Sequence, residues 1–447
     1  MSNSGLDILI EGGTLLTMSE SMNIIENPAI GIKDGKIVFA AEKKDIPSIN
    51  TRSAKTVLNA AGSVIMPGLI NTHTHLPMVC FRGLADDLPL MEWLNDHIFP
   101  AEARFVNRDM VYAGSMLAIA EMILSGTTTF CDAYFYESSV ARAAVDSGMR
   151  AVVSQGFIDL PQQNDPVKIA DIAEKFIYKW QEKSPLIIPA LACHSPYTCL
   201  PHTLACIKDI SRKCGVIYNI HVSETKEEVA IVKERFGKRP VSYLKDIDVL
   251  DSLTLAVHCI WLDDSEIELL RERNVKVSHN PESNMKLAAG CAPVSRMIKQ
   301  GITVSLGTDG CASNNDLDMF REMGTAARLH KVIEMDPTVM DAKTVLRMAT
   351  ISGAKALGLE DRIGSIEPGK YADIIIVDMN KPHLTPLYNH YSQIVYAASG
   401  PDVKTSIIGG SLVMHERKLL HVDVFSIMGE VKSIAESIAH TFRSGGE

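Results

Sequence analysis

No stretch of the 447-residue sequence approaches the roughly 20 consecutive apolar residues that span a bilayer. Residues 1–13 carry no charged segment leading into an unbroken apolar run. The expectation is a cytoplasmic chain, neither exported nor membrane-spanning. Basic runs are missing too: 44 Lys and Arg stand against 54 Asp and Glu, a net charge of −10, which argues against nucleic acid or an anionic membrane as a partner. The nine cysteines, at 80, 131, 193, 199, 206, 214, 259, 291 and 311, contain no C-x-x-C pair and are odd in number. That excludes a disulfide framework or a zinc finger and fits reduced thiols. Internal repeats, low-complexity segments and coiled-coil heptads are absent as well. What remains, 46% hydrophobic and 22% charged residues, is the composition of an ordinary globular protein whose partner is a small molecule.

The two chain ends share one style. Asp7-Ile8-Leu9-Ile10 before Gly12-Gly13, and Ala29–Ile32 and Lys36–Phe39 on either side of Asp34-Gly35, read as short antiparallel strands. Asp373–Val377, Thr405–Ile408 and Ser411–Val413 repeat the pattern late in the chain. They predict one small β-rich, sandwich-like domain built from both ends. Between them, short apolar runs alternate with helical stretches, which is the pattern of parallel strands with crossover helices. Eight runs end in polar groups: Val64–Ile70 before His73 and His75, Thr127–Cys131 before Asp132, Ala151–Ser154, Ile187–Cys193 before His194, Val216–Ile220 before His221, Thr254–Val257 before His258, Val275–Ser278 before His279, and Ile302–Leu306 before Asp309. The spacing of Met110, Met116, Leu117, Ala120 and Leu124 predicts a helix over 109–124, and 427–442 reads as an amphipathic tail helix.

The economical fold is an α/β (β/α)8 TIM-like barrel with its chemistry at the strand C-termini. The expected division is 1–63 for the first part of the β-rich domain, 64–365 for the barrel, 366–420 for the second part and 421–447 for a helical tail.

His73-Thr74-His75 places two imidazoles on one side of an extended strand, where they can share a cation. His221, Asp309 and His258 end other strands. Asp309 can ligate a metal and accept a proton from bound water, and His258 can either ligate or hydrogen-bond that water. With His73, His75, His221 and Asp309 already offering four ligands, the second role is preferred for His258. Glu224, three residues beyond His221, suits the proton carrier that zinc deaminases use between water and leaving amine. The fourth strand, Leu186–His194, has no lysine to bridge two metals, so one ion is expected.

Met66-Pro67-Gly68-Leu69-Ile70-Asn71-Thr72-His73-Thr74-His75, His221-Val222-Ser223-Glu224, Ser278-His279-Asn280-Pro281 and Gly307-Thr308-Asp309-Gly310 resemble the amidohydrolase superfamily. More narrowly, nearly the whole chain is similar to the methylthioadenosine/S-adenosylhomocysteine deaminases, relatives of triazine chlorohydrolases. The resemblance implies His73, His75, His221 and Asp309 as ligands of one divalent ion, zinc first, with iron or manganese as alternatives. It implies Glu224 as the proton shuttle, His258 as the residue orienting water, and Glu102 and His194 as contacts to the ribose and the nucleoside; Glu224 and Asp309 also face the substrate. Without it, Glu102 reads as a solvated loop charge, and His194 reads equally well as an ordinary polar strand end. The implied reaction is hydrolytic deamination of 5′-methylthioadenosine, S-adenosylhomocysteine, adenosine or 5′-deoxyadenosine to the inosine analogue and ammonia, by a homo-oligomer.

Alternatives stay open: a deaminase or chlorohydrolase for guanine, cytosine, a pterin or a triazine, or a non-catalytic scaffold of the same fold. In the third strand, family members that handle S-adenosylhomocysteine well can carry an arginine suited to the amino-acid carboxylate, where this chain has Gln155. The loop 159–165 offers no arginine either, so a neutral 5′ group is expected to be preferred. Leu76–Phe105 is a long segment at the barrel mouth, with Met78, Phe81, Leu90, Trp93 and Phe99 either lining a lid or packing it down. His279 is expected either to support the ligands from behind or to be structural. His97, His202, His330, His383, His390, His415, His421 and His440 have no motif context and read as surface or packing residues.

Overall fold

A computed structural model describes residues 5–46, 54–159 and 166–444. Eight parallel strands run in chain order, β1 (Leu69–Thr74), β2 (Thr127–Tyr134), β3 (Arg150–Phe157), β4 (Ile187–Cys193), β5 (Tyr218–Val222), β6 (Thr254–His258), β7 (Lys276–His279) and β8 (Val304–Leu306). Such order, with helices between strands, is the barrel expected from the sequence. The seam between β8 and β1 is drawn together by polar groups. Thr72 Oγ1 donates to the Leu306 carbonyl at 2.9 Å, and Thr308 N donates to Asn71 Oδ1 at 3.1 Å. Asp309 N donates to the His73 carbonyl at 3.0 Å. Closure therefore brings Asp309, from the last strand, beside His73 from the first.

The helices obey local rules. The helix predicted over 109–124 spans Arg108–Leu124, and its N-cap Asn107 accepts from the backbone N–H groups of Asp109 and Met110. The tail helix spans Val424–Ser444. One strand differs from the expectation: Val64–Ile70 is not a single barrel strand. Ser63–Pro67 belongs to a separate seven-stranded sheet, and the barrel begins at Leu69. Gly68 is the crossing point, because its N–H reaches the Asp373 carbonyl and a Cβ there would lie 2.0 Å from Thr128 Oγ1. The apolar run continues across the junction since both strands are buried.

The β-rich part is two sheets. One has the order Lys36–Glu42, Pro28–Lys33, Ile8–Glu11, Thr56–Asn59; the other runs from Lys418–Leu419 through Ser411–His415, Val403–Ile408, Ile374–Asp378, Ser63–Pro67 and Thr14–Leu16 to Ile24–Glu26. Ile8, Ile10, Ile30 and Ile32 of the first sheet pack against Leu15, Ile65, Ile374, Ile376 and Ile407 of the second. Alternate residues of the same strands, Val64, Met66, Ile375 and Val377, turn instead to the core shared with the barrel. Burial on both faces explains why Ile374–Val377 is an unbroken apolar run. A buried ion pair also ties the parts together: Arg150 at the start of β3 holds Asp373 through Nε at 2.6 Å and Nη2 at 3.0 Å.

After β1 the chain forms short helical turns, Leu76–Phe81, Leu90–Glu92, Trp93–Ile98 and Phe99–Phe105. Met78, Phe81 and Trp93 are buried in the main core cluster. They fasten this segment to the barrel; Leu90 and Phe99 are partly buried. Among the described residues, no helix is long and apolar enough to cross a membrane.

Candidate metal centre and active site

The extended backbone of β1 points His73 and His75 to one side and Thr74 to the other, where Thr74 Oγ1 donates to Asp132 Oδ1 at 2.7 Å. His221, at the end of β5, completes a cluster in which one ligating atom from each imidazole lies within 4.8 Å of the others. His73 Nε2 and His221 Nε2 are 3.2 Å apart. Asp309 Oδ1 is 3.3 Å from the Nε2 atoms of both His73 and His75. The other oxygen, Oδ2, accepts hydroxyls from Ser283 at 2.6 Å and Ser313 at 2.9 Å, which turns Oδ1 toward the imidazoles.

The donor chemistry suits a divalent cation. His75 Nδ1 meets the Ala133 carbonyl at 2.6 Å, and His221 Nδ1 meets the His194 carbonyl at 2.6 Å. A carbonyl can only accept, so both Nδ1 atoms carry hydrogen and both Nε2 atoms are left to face the cluster. Burial holds His73 neutral, its pKa down at about 4, and pushes His221 well below the usual imidazole range. Asp309 is held well below the usual carboxylate range by the neighbouring imidazoles, against the effect of its own burial. Three imidazoles converging with one carboxylate are the donor set of a borderline divalent ion.

Glu224 and His258 face each other across the cluster rim, with Glu224 Oε1 3.8 Å from His258 Nε2. Burial raises the Glu224 pKa, so its carboxyl keeps a proton to higher pH than a solvated one. His258 Nδ1 lies 2.9 Å from Asn284 Oδ1 and 3.3 Å from Asn280 Nδ2. Four non-glycine residues here are left-handed: Ser223 at φ 53°, His258 at φ 68°, Cys259 at φ 51° and Asp309 at φ 64°. Such conformations cost on the order of 1–3 kcal/mol each and persist where the surroundings impose them. The Ser223 carbonyl, for example, accepts from both Ile260 N and Trp261 N.

The solvated reading of Glu102 does not hold. It sits in helix Phe99–Phe105, accepts the Tyr134 hydroxyl at 2.5 Å, and burial pushes its pKa up to about 7. His194, at the end of β4, is held by Thr198 Oγ1 at 2.8 Å, and burial lowers its pKa to about 4. Gln155, on β3, is half-buried and its Nε2 donates to the Gly156 carbonyl at 3.2 Å; positions 160–165 of the loop beyond lie outside the described residues. His279 is buried, its Nε2 3.1 Å from His330 Nε2. Neither belongs to the cluster of His73, His75 and His221.

Several contributors escaped the sequence reading. Ser283 and Asn284 lie on the short helix Pro281–Lys286, Asn280 is its N-cap, and Ser313 comes from the turn after Asp309; their approach depends on the fold. Buried Asp132 takes both the Thr74 hydroxyl and Leu76 N at 2.7 Å. Buried Glu228 accepts Ser223 N at 2.8 Å and Glu224 N at 2.7 Å. Glu228 carried a local signal in the T-x-x-E pattern of Thr225–Glu228, Asp132 in its place at the end of an apolar run and Asn280 in its motif, but none of these showed which group it would hold.

Comparison with known proteins agrees with this architecture. Residues 64–413 match the model of the amidohydrolase family. The chain is 49% identical over 440 residues to a 5-methylthioadenosine/S-adenosylhomocysteine deaminase of Syntrophobacter fumaroxidans, covering 98% of this chain and 100% of the relative. It is 47% identical over 433 residues to a 5′-deoxyadenosine deaminase of Methanosarcina mazei, covering 97% and 98%. Among solved structures, an adenosine deaminase of Xanthomonas campestris with bound zinc superposes with a TM-score of 0.92 at 36% identity, covering 98% of this chain and 99% of that one. An atrazine chlorohydrolase of Arthrobacter aurescens shares the fold, with a TM-score of 0.90 at 20% identity over 96% of this chain and 100% of that one. With the barrel, its histidine cluster and these matches together, the chain belongs to the amidohydrolase family.

Proposed function

We propose that the protein is a metal-dependent aminohydrolase converting a 5′-modified adenosine (5′-methylthioadenosine, S-adenosylhomocysteine, adenosine or 5′-deoxyadenosine) to its inosine analogue and ammonia. The observation that carries the reading is Glu224 Oε1 lying 3.8 Å from His258 Nε2 at the rim of the histidine cluster. An amine must leave protonated, and a carboxyl group with a raised pKa can carry that proton. The names of the similar deaminases point to the same substrates.

His73, His75, His221 and Asp309 are the residues that would hold one zinc ion. When bound, zinc supplies Lewis acidity that brings water toward ionisation near neutral pH. Glu224 takes a proton from the attacking water and gives it to the ring nitrogen next to C6 of the adenine. It then takes the proton of the new C6 hydroxyl and passes it to the departing amine as the C6–N bond breaks and the C6 carbonyl forms, so that one water is consumed and one ammonia released. His258, fixed through Asn284, orients the water. The Glu102 carboxyl receives the ribose hydroxyls, and His194 holds the nucleoside from the β4 side. Gln155 cannot form a charged pair with an amino-acid carboxylate, so neutral 5′ groups are favoured.

The protein acts as a cytoplasmic homo-oligomer without a nucleic-acid partner; light scattering of the purified protein checks the oligomeric state. The decisive experiment follows ammonia release and the ultraviolet shift for methylthioadenosine, S-adenosylhomocysteine, adenosine, 5′-deoxyadenosine, guanine and cytosine. Turnover of the adenosines supports the reading; silence on all of them with metal bound removes it.

A further inference from the structure

Glu228 is buried in the first turn of helix Lys226–Phe236. Its backbone N–H donates to Oγ1 of the N-cap Thr225 at 3.0 Å, one half of a capping box. The other half is displaced. In an ordinary box the carboxylate returns to the N-cap N–H, as in helix Asp264–Glu272, where Asp263 N donates to Glu266 Oε2 at 3.2 Å. In Glu228 the carboxylate passes over the N-cap and takes the two preceding N–H groups, Ser223 N on Oε1 at 2.8 Å and Glu224 N on Oε2 at 2.7 Å. Among the described residues no cation pairs with it. The grip falls on a left-handed residue, Ser223, whose carbonyl in turn receives Ile260 N and Trp261 N just beyond His258.

We propose that Glu228 is a positioning residue for the proton carrier: its two hydrogen bonds hold the Ser223–Glu224 turn so that the Glu224 carboxyl stands against His258. This rests on the reading of Glu224 given above. A glutamine at 228 keeps the size but turns an NH2 group toward one of two backbone donors, leaving a buried N–H without an acceptor. The turn then relaxes, and a displacement near 1 Å at a reacting group costs about 100-fold in rate.

The test measures kcat, KM and metal content with methylthioadenosine for Glu228→Gln, alone and combined with Glu224→Gln. The expected result is a kcat lower by about 10–100-fold with KM and metal content nearly unchanged, and little further loss in the Glu224→Gln background, since two residues acting through one group are non-additive. Unchanged kcat in folded Glu228→Gln, a loss through KM or metal content, or an equal loss in both backgrounds overturns the proposal while leaving Glu224 in its role. Wild-type kcat in Glu224→Gln removes the reading of Glu224 and this proposal with it. Should Glu228→Gln fail to fold, Glu228→Asp, whose shorter arm cannot span both N–H groups, is judged by the same outcomes.

Discussion

The sandwich and the barrel mouth are built from opposite materials. In the sandwich, Ile8, Ile10, Ile30, Ile32, Ile374, Ile376 and Ile407 form a core of branched aliphatic side chains, and alternation alone decides what faces inward. The mouth buries His73, Asp132, Asp309 and Glu228 instead, and holds Ser223, His258 and Asp309 in left-handed backbone. Burying such groups contributes little to stability, and each is tolerated because a partner is already aimed at it. One region supplies cohesion at little chemical interest; the other spends that cohesion on holding reactive groups.

Changes in the two regions should therefore separate activity from stability. Glu224→Gln should lower kcat by about 10²–10⁴-fold, the usual worth of a positioned acid–base group, with metal content and Tm close to the parent; a near-normal kcat would refute its role. Arg150→Ala, which strands Asp373 in the contact between sandwich and barrel, should cost about 3–5 kcal/mol of unfolding free energy. Its kcat for the remaining folded enzyme should be unchanged, as denaturant titration and assay of the same sample would reveal.

Glu102 sharpens the contrast through pH. Burial raises its pKa to about 7, so it is protonated below that point and an anionic acceptor above it. KM for nucleosides should fall as pH rises through 7, and should be flat in Glu102→Gln with kcat/KM lower by about 10-fold, the scale of one charged hydrogen bond. A KM profile shared by both proteins would refute ribose binding there. The smallest effect concerns Gln155: kcat/KM for methylthioadenosine should exceed that for S-adenosylhomocysteine, and Gln155→Arg should narrow the gap. Equal values in the parent enzyme would sink the argument.

Much of this was legible beforehand for identifiable reasons. The eight apolar runs and the polar residue closing most of them are local patterns, so the barrel and the positions of His73, His75, His221, His258 and Asp309 follow from spacing. The split of Val64–Ile70 was not legible, because strands of two adjoining sheets, each buried on both faces, read as one apolar run; only Gly68 marked the break. Glu102 read as solvated for a related reason. Sequence does not reveal that Tyr134 lies over it, 32 positions away.

Composition and periodicity by themselves determined the class of fold, the order of its strands and the residue types offered at their ends, since these depend on side chains a few positions apart. The tertiary structure alone decided which of those residues meet. Closure of the β8–β1 seam puts Asp309 against His73 across 236 positions of chain, a short helix and a turn bring Ser283 and Ser313 to its second oxygen, and Glu228 turns back onto the Ser223–Glu224 turn. Such contacts are set by barrel closure and side-chain direction, quantities that no local pattern encodes.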